Sequence, residues 1–128
     1  MTKILPIGCR FVTFAPVTNG HDKPNPIMEL YHRHLGQGTP IVMLHGIFGS
    51  SDNWLTSSKM LSSNYETFAL DLRNHGQSPH CDEFDYPSMV QDVVDFIESK
   101  RIKDPILMGH SMGGKVAMNF ALAHPDKL

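Results

Sequence analysis

The sequence predicts an α/β fold, a mostly parallel sheet with helices flanking it. Three observations predict it. Two short apolar runs, Ile41-Val42-Met43-Leu44 and Thr67-Phe68-Ala69-Leu70, are almost unbroken by polar residues, which marks strands covered on both faces. Between the second run and a third, Pro105-Ile106-Leu107-Met108, the residues Tyr86, Met89, Val90, Val93, Val94 and Ile97 recur at helical spacing. Each run then enters a loop rich in Gly, His and Ser, and loops at the carboxyl ends of parallel strands gather on one rim.

Taken in order, residues 1–26 form an N-terminal extension. Residues 1–20 carry Lys3 and Arg10, with no acid before Asp22. Two readings stay open there: a weak mitochondrial transit segment, since such segments are basic and acid-poor, or a first strand from Arg10 to Phe14 with a loop after it. His21 to Pro26 is polar and punctuated by prolines, as a loop is.

Residues 27–128 read as one unit. Ile27 to Leu35 predicts a single strand, with Met28, Leu30 and His32 on one face and Glu29, Tyr31 and Arg33 on the other. Gly36 to Pro40 is a turn. A short helix starts near Ser51 or Asp52, with Trp54, Leu55 and Leu61 as its apolar side. Pro87 suits the first turn of the next helix, whose Gln91, Asp92, Asp95 and Glu98 are expected to face water and whose end lies near Lys100-Arg101. The last helix, Val116 to Ala123, is apolar on most sides apart from Lys115 and Asn119, so it is expected to be central and buried; Pro125 stops it.

Bulk properties narrow the function classes. The 128 residues amount to one domain's worth of chain. Against 13 acidic residues stand 11 Lys plus Arg, for a formal net charge of -2, which gives no support for a nucleic-acid partner or an anionic membrane surface. No apolar run approaches the length of a membrane span. Cys9 and Cys81 are far apart and lack motif spacing; they read as free thiols of a reducing compartment, with a lone disulfide as the other option.

The chemistry is carried by Gly109-His110-Ser111-Met112-Gly113. A strand before it and a helix after it make this the context of a nucleophile elbow. A serine on a sharp, strained turn projects its hydroxyl away from the backbone, where a base can reach it. Gly109 and Gly113 lack Cβ atoms, so strand and helix can pack closely around the turn. The helix start leaves unpaired N–H groups aimed at a developing oxyanion. The plainer alternative is a glycine-rich turn whose serine caps the helix.

His45-Gly46-Ile47-Phe48-Gly49-Ser50 follows the first run, and Asp71-Leu72-Arg73-Asn74-His75-Gly76-Gln77-Ser78-Pro79 follows the second. With the serine motif, these make the chain resemble the α/β-hydrolase superfamily from about Met28 to Leu128, and within it an esterase branch that includes small bacterial esterases. The resemblance implies Ser111 as the nucleophile. It implies the backbone N–H groups of Ile47 and Met112 as oxyanion donors, with Phe48 as a helper. His45, Gly46, Gly109 and Gly113 would support the site, and no metal or cofactor is implied. A serine, where aspartate would be needed, argues against dehalogenase and epoxide hydrolase chemistry. The implied substrate is a small-molecule carboxylic ester, an acylglycerol or another lipid-like ester, for which Phe48, Trp54 and Met112 would suit an apolar acyl pocket. The implied compartment is the mitochondrion, with the cytoplasm as the alternative.

In that family the acid and then the histidine follow the serine in chain order. The resemblance therefore places both beyond Leu128 and maps onto this chain a truncated α/β-hydrolase fold, its N-terminal half. Local stand-ins are weak. Asp71 would sit two strands from Ser111, about 10 Å away at ~4.8 Å per strand, and suits a turn. His110 should point away from Ser111, and His45 resembles a structural histidine. His75 is the best local base, while His32 and His34 share a strand face without a third metal ligand. The strand before Ser111 would have an open edge, inviting association with another chain. The second reading of function is accordingly a non-catalytic truncated product that acts by association or stays unfolded.

Overall fold

The computed structural model describes residues 11–12 and 27–128. The chain runs β1 (Phe11–Val12), β2 (Ile27–Met28), β3 (His32–Leu35), β4 (Thr39–Leu44), a 3-10 turn at Ser51–Trp54, α1 (Leu55–Leu61), β5 (Tyr65–Leu70), α2 (Tyr86–Ser99), β6 (Ile106–Gly109), α3 (Met112–Ala123) and a last 3-10 turn at Pro125–Lys127. The main sheet has the order β3-β5-β4-β6. β4 pairs in parallel with both β5 and β6, while β3 joins β5 antiparallel. β1 pairs antiparallel with β2, at the place where a first strand was one of two readings. The rest of the transit-segment reading, and Cys9, lie outside the described residues; Cys81 carries a free thiol.

The apolar runs form the central strands because both their faces are covered. Val42 and Leu44 of β4, with Phe68 and Leu70 of β5, point to the main core beneath α2 and α3. Ile41, Met43 and Ala69 point to the other face, under Trp54 and Leu61. Ser50 starts the turn that carries Trp54: its hydroxyl accepts from the Asp52 N–H at 3.3 Å, and its own N–H donates to Asn53 Oδ1 at 2.8 Å. This reciprocal box fixes the angle at which the chain leaves the His45–Ser50 loop.

Three expectations need correction. Ile27 to Leu35 is two strands, broken between Met28 and His32. The Tyr31 N–H donates to Ser78 Oγ at 2.9 Å, and its carbonyl accepts from the Asp71 N–H at 2.9 Å. The loop after β5 thus takes the hydrogen bonds a continuing ladder would use.

Asp92 does not face water. It is buried, and Arg73, also buried, holds it with Nε at 2.6 Å and Nη2 at 2.7 Å. Burial works against the Arg73 guanidinium, but the hydrogen bond and charge of Asp92 outweigh it, so its pKa is raised and it stays charged. Arg73 Nη1 also donates to the Glu83 carbonyl at 3.0 Å, so one side chain ties the loop 71–85 to α2.

The last helix buries one face only. Met112, Val116 and Phe120 enter the core, whereas Met118 is 61% exposed and Leu122 84%. Beside it, β6 pairs only with β4 among the described residues, and Ile106 is 45% exposed. Among the described residues the far edge of β6 has no partner strand.

Removing one partner of a buried ion pair leaves the other charge uncompensated. Asp92→Ala is expected to lower the unfolding free energy by about 3–5 kcal/mol, and Arg73→Met with Asp92→Leu by clearly less. Urea denaturation of the two variants checks this; equal losses would contradict it.

Candidate active site

The candidate site grows from the end of β6. The His110 N–H donates to the Leu44 carbonyl at 3.0 Å, extending the parallel pairing past Gly109. Ser111 then takes φ 53° and ψ -116°, a conformation that L side chains adopt only when their surroundings enforce it. Here the enforcement is backbone. The Gly113 N–H is shared between the His45 carbonyl at 3.1 Å and the His110 carbonyl at 3.0 Å. A Cβ on Gly109 would collide with the Gly113 carbonyl, and one on Gly113 with the Leu44 carbonyl. Strand β4, the turn and α3 therefore touch through backbone alone. The Ser111 side chain is exposed, does not cap α3, and makes no hydrogen bond among the described residues. The capping-serine alternative falls with that.

The His45–Ser50 loop is laid against this turn. At Gly46 a Cβ would stand 3.3 Å from Ser111 Cβ and 3.0 Å from His110 Nδ1, so the absence of a side chain lets the loop approach the serine. His45 is buried and bridges two loops: its Nε2 accepts from the Leu72 N–H at 3.0 Å, and its Nδ1 lies 2.7 Å from the Gly46 carbonyl. The pattern sets the neutral Nδ1–H tautomer. Burial lowers its pKa below the ordinary histidine value, the hydrogen bond to Gly46 only partly opposing it. The Asp71 carboxylate accepts from the Ser51 and Gln77 N–H groups, and its carbonyl accepts from the Ser78 hydroxyl. Asp71 is thus the pin of two loops.

Amide accounting separates the donors. The Phe48 N–H donates to His75 Nε2 at 3.3 Å, and the Gly49 N–H to the Gly46 carbonyl at 3.0 Å. No hydrogen bond among the described residues uses the N–H of Ile47 or of Met112. These two unspent donors flank Ser111, one on the loop and one on the first residue of α3. Phe48 is not a third donor, because His75 already takes its N–H. With φ 62°, the Phe48 backbone is left-handed and its ring is 93% exposed. The pattern HGIFG carried no sign of this.

The other histidines are placed as follows. His75 has both nitrogens in use, Nδ1 at 2.9 Å from the Arg73 carbonyl and Nε2 at Phe48; it does not reach Ser111, against the expectation that it was the best local base. His110 does not point away. It lines the same cavity as Ser111, because the positive φ at Ser111 breaks the alternation of side chains along a strand. His32 sits edge-on to Phe96 with centroids 5.0 Å apart, and His34 stacks on Phe68 at 4.6 Å and meets Glu66 at 2.9 Å. Both rings are spent on packing and pairing.

Two open cavities meet at Ser111 and Ile47. One, of about 400 Å³, runs along Gly46, Asn53, Trp54 and His110. The other, of about 350 Å³, lies between Phe84, Met89, Met112 and Lys115. Met112 and Met89 are also core residues, and Trp54 packs under the opposite sheet face.

Residues 39–128 match the family model described as the alpha/beta hydrolase fold. The sn-1-specific diacylglycerol lipase ABHD11 of Xenopus laevis is 46% identical over 90 residues, which cover 69% of this chain and 29% of that protein. A probable alcohol acetyltransferase of Wickerhamomyces anomalus is 41% identical over 98 residues, covering 73% of this chain and 29% of its own. Among solved structures, a marine microorganism esterase superposes with a TM-score of 0.77 at 46% identity, over 78% of this chain and 39% of that one. The chain thus spans less than a third of the length of both curated relatives.

Because the folded protein binds a proton at His45 less readily than the unfolded chain does, stability that His45 contributes above about pH 6.5 is lost as pH falls. The urea midpoint is expected to drop between about pH 7.5 and about pH 5.5, and His45→Asn to shrink that drop. Burial also lowers the pKa of His32, so a smaller slope should survive. An unchanged slope in the variant would contradict the buried neutral bridge.

Proposed function

We propose a function from one premise: this chain belongs to the family of the alpha/beta hydrolase fold. Ser111 is the nucleophile of a carboxylic ester hydrolase, and one observation carries the reading. A serine hydroxyl with no hydrogen bond among the described residues stands on a backbone-enforced turn between two amides that are likewise unspent there, those of Ile47 and Met112. In the reaction a base takes the Ser111 proton and Oγ bonds to the ester carbonyl carbon. The carbonyl oxygen, now anionic, accepts from the two amides. The C–O bond to the alcohol breaks and the alcohol leaves with a proton. Water then attacks the acyl carbonyl and releases the carboxylic acid and the serine.

We place the base outside residues 27–128, since no described side chain bonds to Ser111 and the family order sets the acid and histidine after the serine. The substrate is a lipid-like ester. Its support is the similarity to a protein named a diacylglycerol lipase and the exposed apolar rim of Ile47 and Phe48. The compartment is the mitochondrion on the strength of the basic, acid-free residues 1–20, with the cytoplasm as the alternative; no helix of the described residues is long and apolar enough to cross a membrane. A second reading, a non-catalytic product that works by association, is favoured by the open β6 edge beside Met118 and Leu122.

A fluorophosphonate probe needs an activated serine. The gene product as its own cells make it is expected to label, and Ser111→Ala to abolish both labelling and ester hydrolysis. Labelling of that product but not of the isolated 128-residue chain would place the base outside the chain. A folded product that stays unlabelled would sink the hydrolase reading and leave association.

A further inference from the structure

The two cavities at Ser111 differ in the polar groups they hold: His110 and Asn53 in one, Asp85 and Lys115 in the other. An ester whose carbonyl oxygen rests on the Ile47 and Met112 amides must send its acyl chain and its alcohol in different directions. Ile47 and Ser111 border both cavities, so the two meet where the serine stands. We propose that the cavity between Phe84, Met89 and Met112 is the acyl site, that it takes a straight aliphatic chain, and that Phe84 limits the chain length. This rests on the ester hydrolase reading of Ser111.

The walls support that division. Met89 and Met112 are 2% and 7% exposed and anchored in the core, so the floor is apolar and fixed in place, while thioether side chains adapt to the shape of a flexible chain. Phe84 is 43% exposed and Ile47 53%; an acyl chain lying between them would cover apolar surface that now faces water. Phe84 is held in position by its ring contact with His75, centroids 5.9 Å apart, which links it to the loop that also fixes Phe48. Asp85 is spent as the cap of α2, accepting the Ser88 N–H at 2.8 Å, and Lys115 is exposed one turn along α3.

The other cavity keeps apolar wall in Ile47, Phe48 and Trp54, two of which the sequence suggested for an acyl pocket, but it adds unpaired polar groups beside the serine. Neither the ring of His110 nor Nδ2 of Asn53 makes a hydrogen bond among the described residues. Groups of that kind suit an alcohol oxygen or a water and make a poor floor for methylenes. The acyl chain therefore goes to the methionine side and the alcohol to the His110 side.

The test is a matrix of kcat/KM values on the whole gene product. One series varies the acyl chain of p-nitrophenyl esters from acetate through butyrate to octanoate, and the other varies the alcohol of butyrate esters. In the wild type, each added methylene should raise kcat/KM by up to about fourfold until the cavity is full. Phe84→Ala should move the optimum to a longer acyl chain. Phe84→Trp should cut octanoate relative to acetate by tenfold or more, and both should leave the alcohol preference unchanged. Met89→Phe, accepted only if its urea midpoint shows a folded protein, should act like Phe84→Trp from the floor. A shift in alcohol preference with acyl preference untouched would overturn the assignment, as would no shift in either. A wild type that hydrolyses none of the esters would instead overturn the hydrolase reading itself.

Discussion

Everything at this site depends on a left-handed residue that is not glycine. Ser111 at φ 53° costs conformational energy, on the order of 1–3 kcal/mol for such a residue, and the cost persists only because backbone holds it. The shared Gly113 amide, the His110 amide on Leu44 and the close contact of Gly109 with Gly113 all act within a few residues. None of these holds involves a side chain that could rotate away. The serine is thereby presented as a fixed feature of the sheet rather than as a mobile loop residue. That fixity is what an attacking group needs if its orientation is to be set before substrate arrives.

The same economy appears one layer out. His45 and Asp71 could be mistaken for catalytic groups, since both lie at strand ends close to the serine. Each is buried and has its hydrogen-bonding atoms engaged by loop backbone. They join the loops after β4 and β5, and Arg73 with Asp92 joins the second loop to α2. The His45–Ser50 loop is held on both sides without drawing on the Ile47 amide. Polar side chains at this rim therefore mostly serve the backbone, leaving the unspent donors to be backbone too.

Much of this was legible in the sequence, and the reason differs by element. Continuous apolar runs identify β4 and β5 because only strands covered on both faces tolerate them. The glycine spacing around Ser111 locates the elbow, because a Cβ at either flank has no room. What was not legible depends on partners distant in sequence. Met28, Leu30 and His32 keep a two-residue period straight through the break at Tyr31, and the break is made by Asp71 and Ser78, 40 and 47 positions away. Asp92 looks like any polar position of an amphipathic helix until Arg73, 19 positions away, is seen beside it. The direction of His110 and the exposure of Phe48 follow from single backbone torsions that no pattern of residue types encodes.

The fold as described is also asymmetric in its cover. One side of the sheet ends in β3, whose His32 and His34 rings pack on Phe68 and Phe96. The other side ends in β6, with the apolar face of α3 bare beside it. The serine lies at that bare side of the described sheet. In the proposed reaction Ser111 Oγ attacks, and the Ile47 and Met112 amides receive the negative charge. A crystal structure of the phosphonylated protein tests it most directly. Phosphorus is expected to be bonded to Ser111 Oγ, with the phosphoryl oxygen within about 3 Å of both amide nitrogens. A phosphoryl oxygen turned to solvent, or to donors other than these two amides, would contradict it.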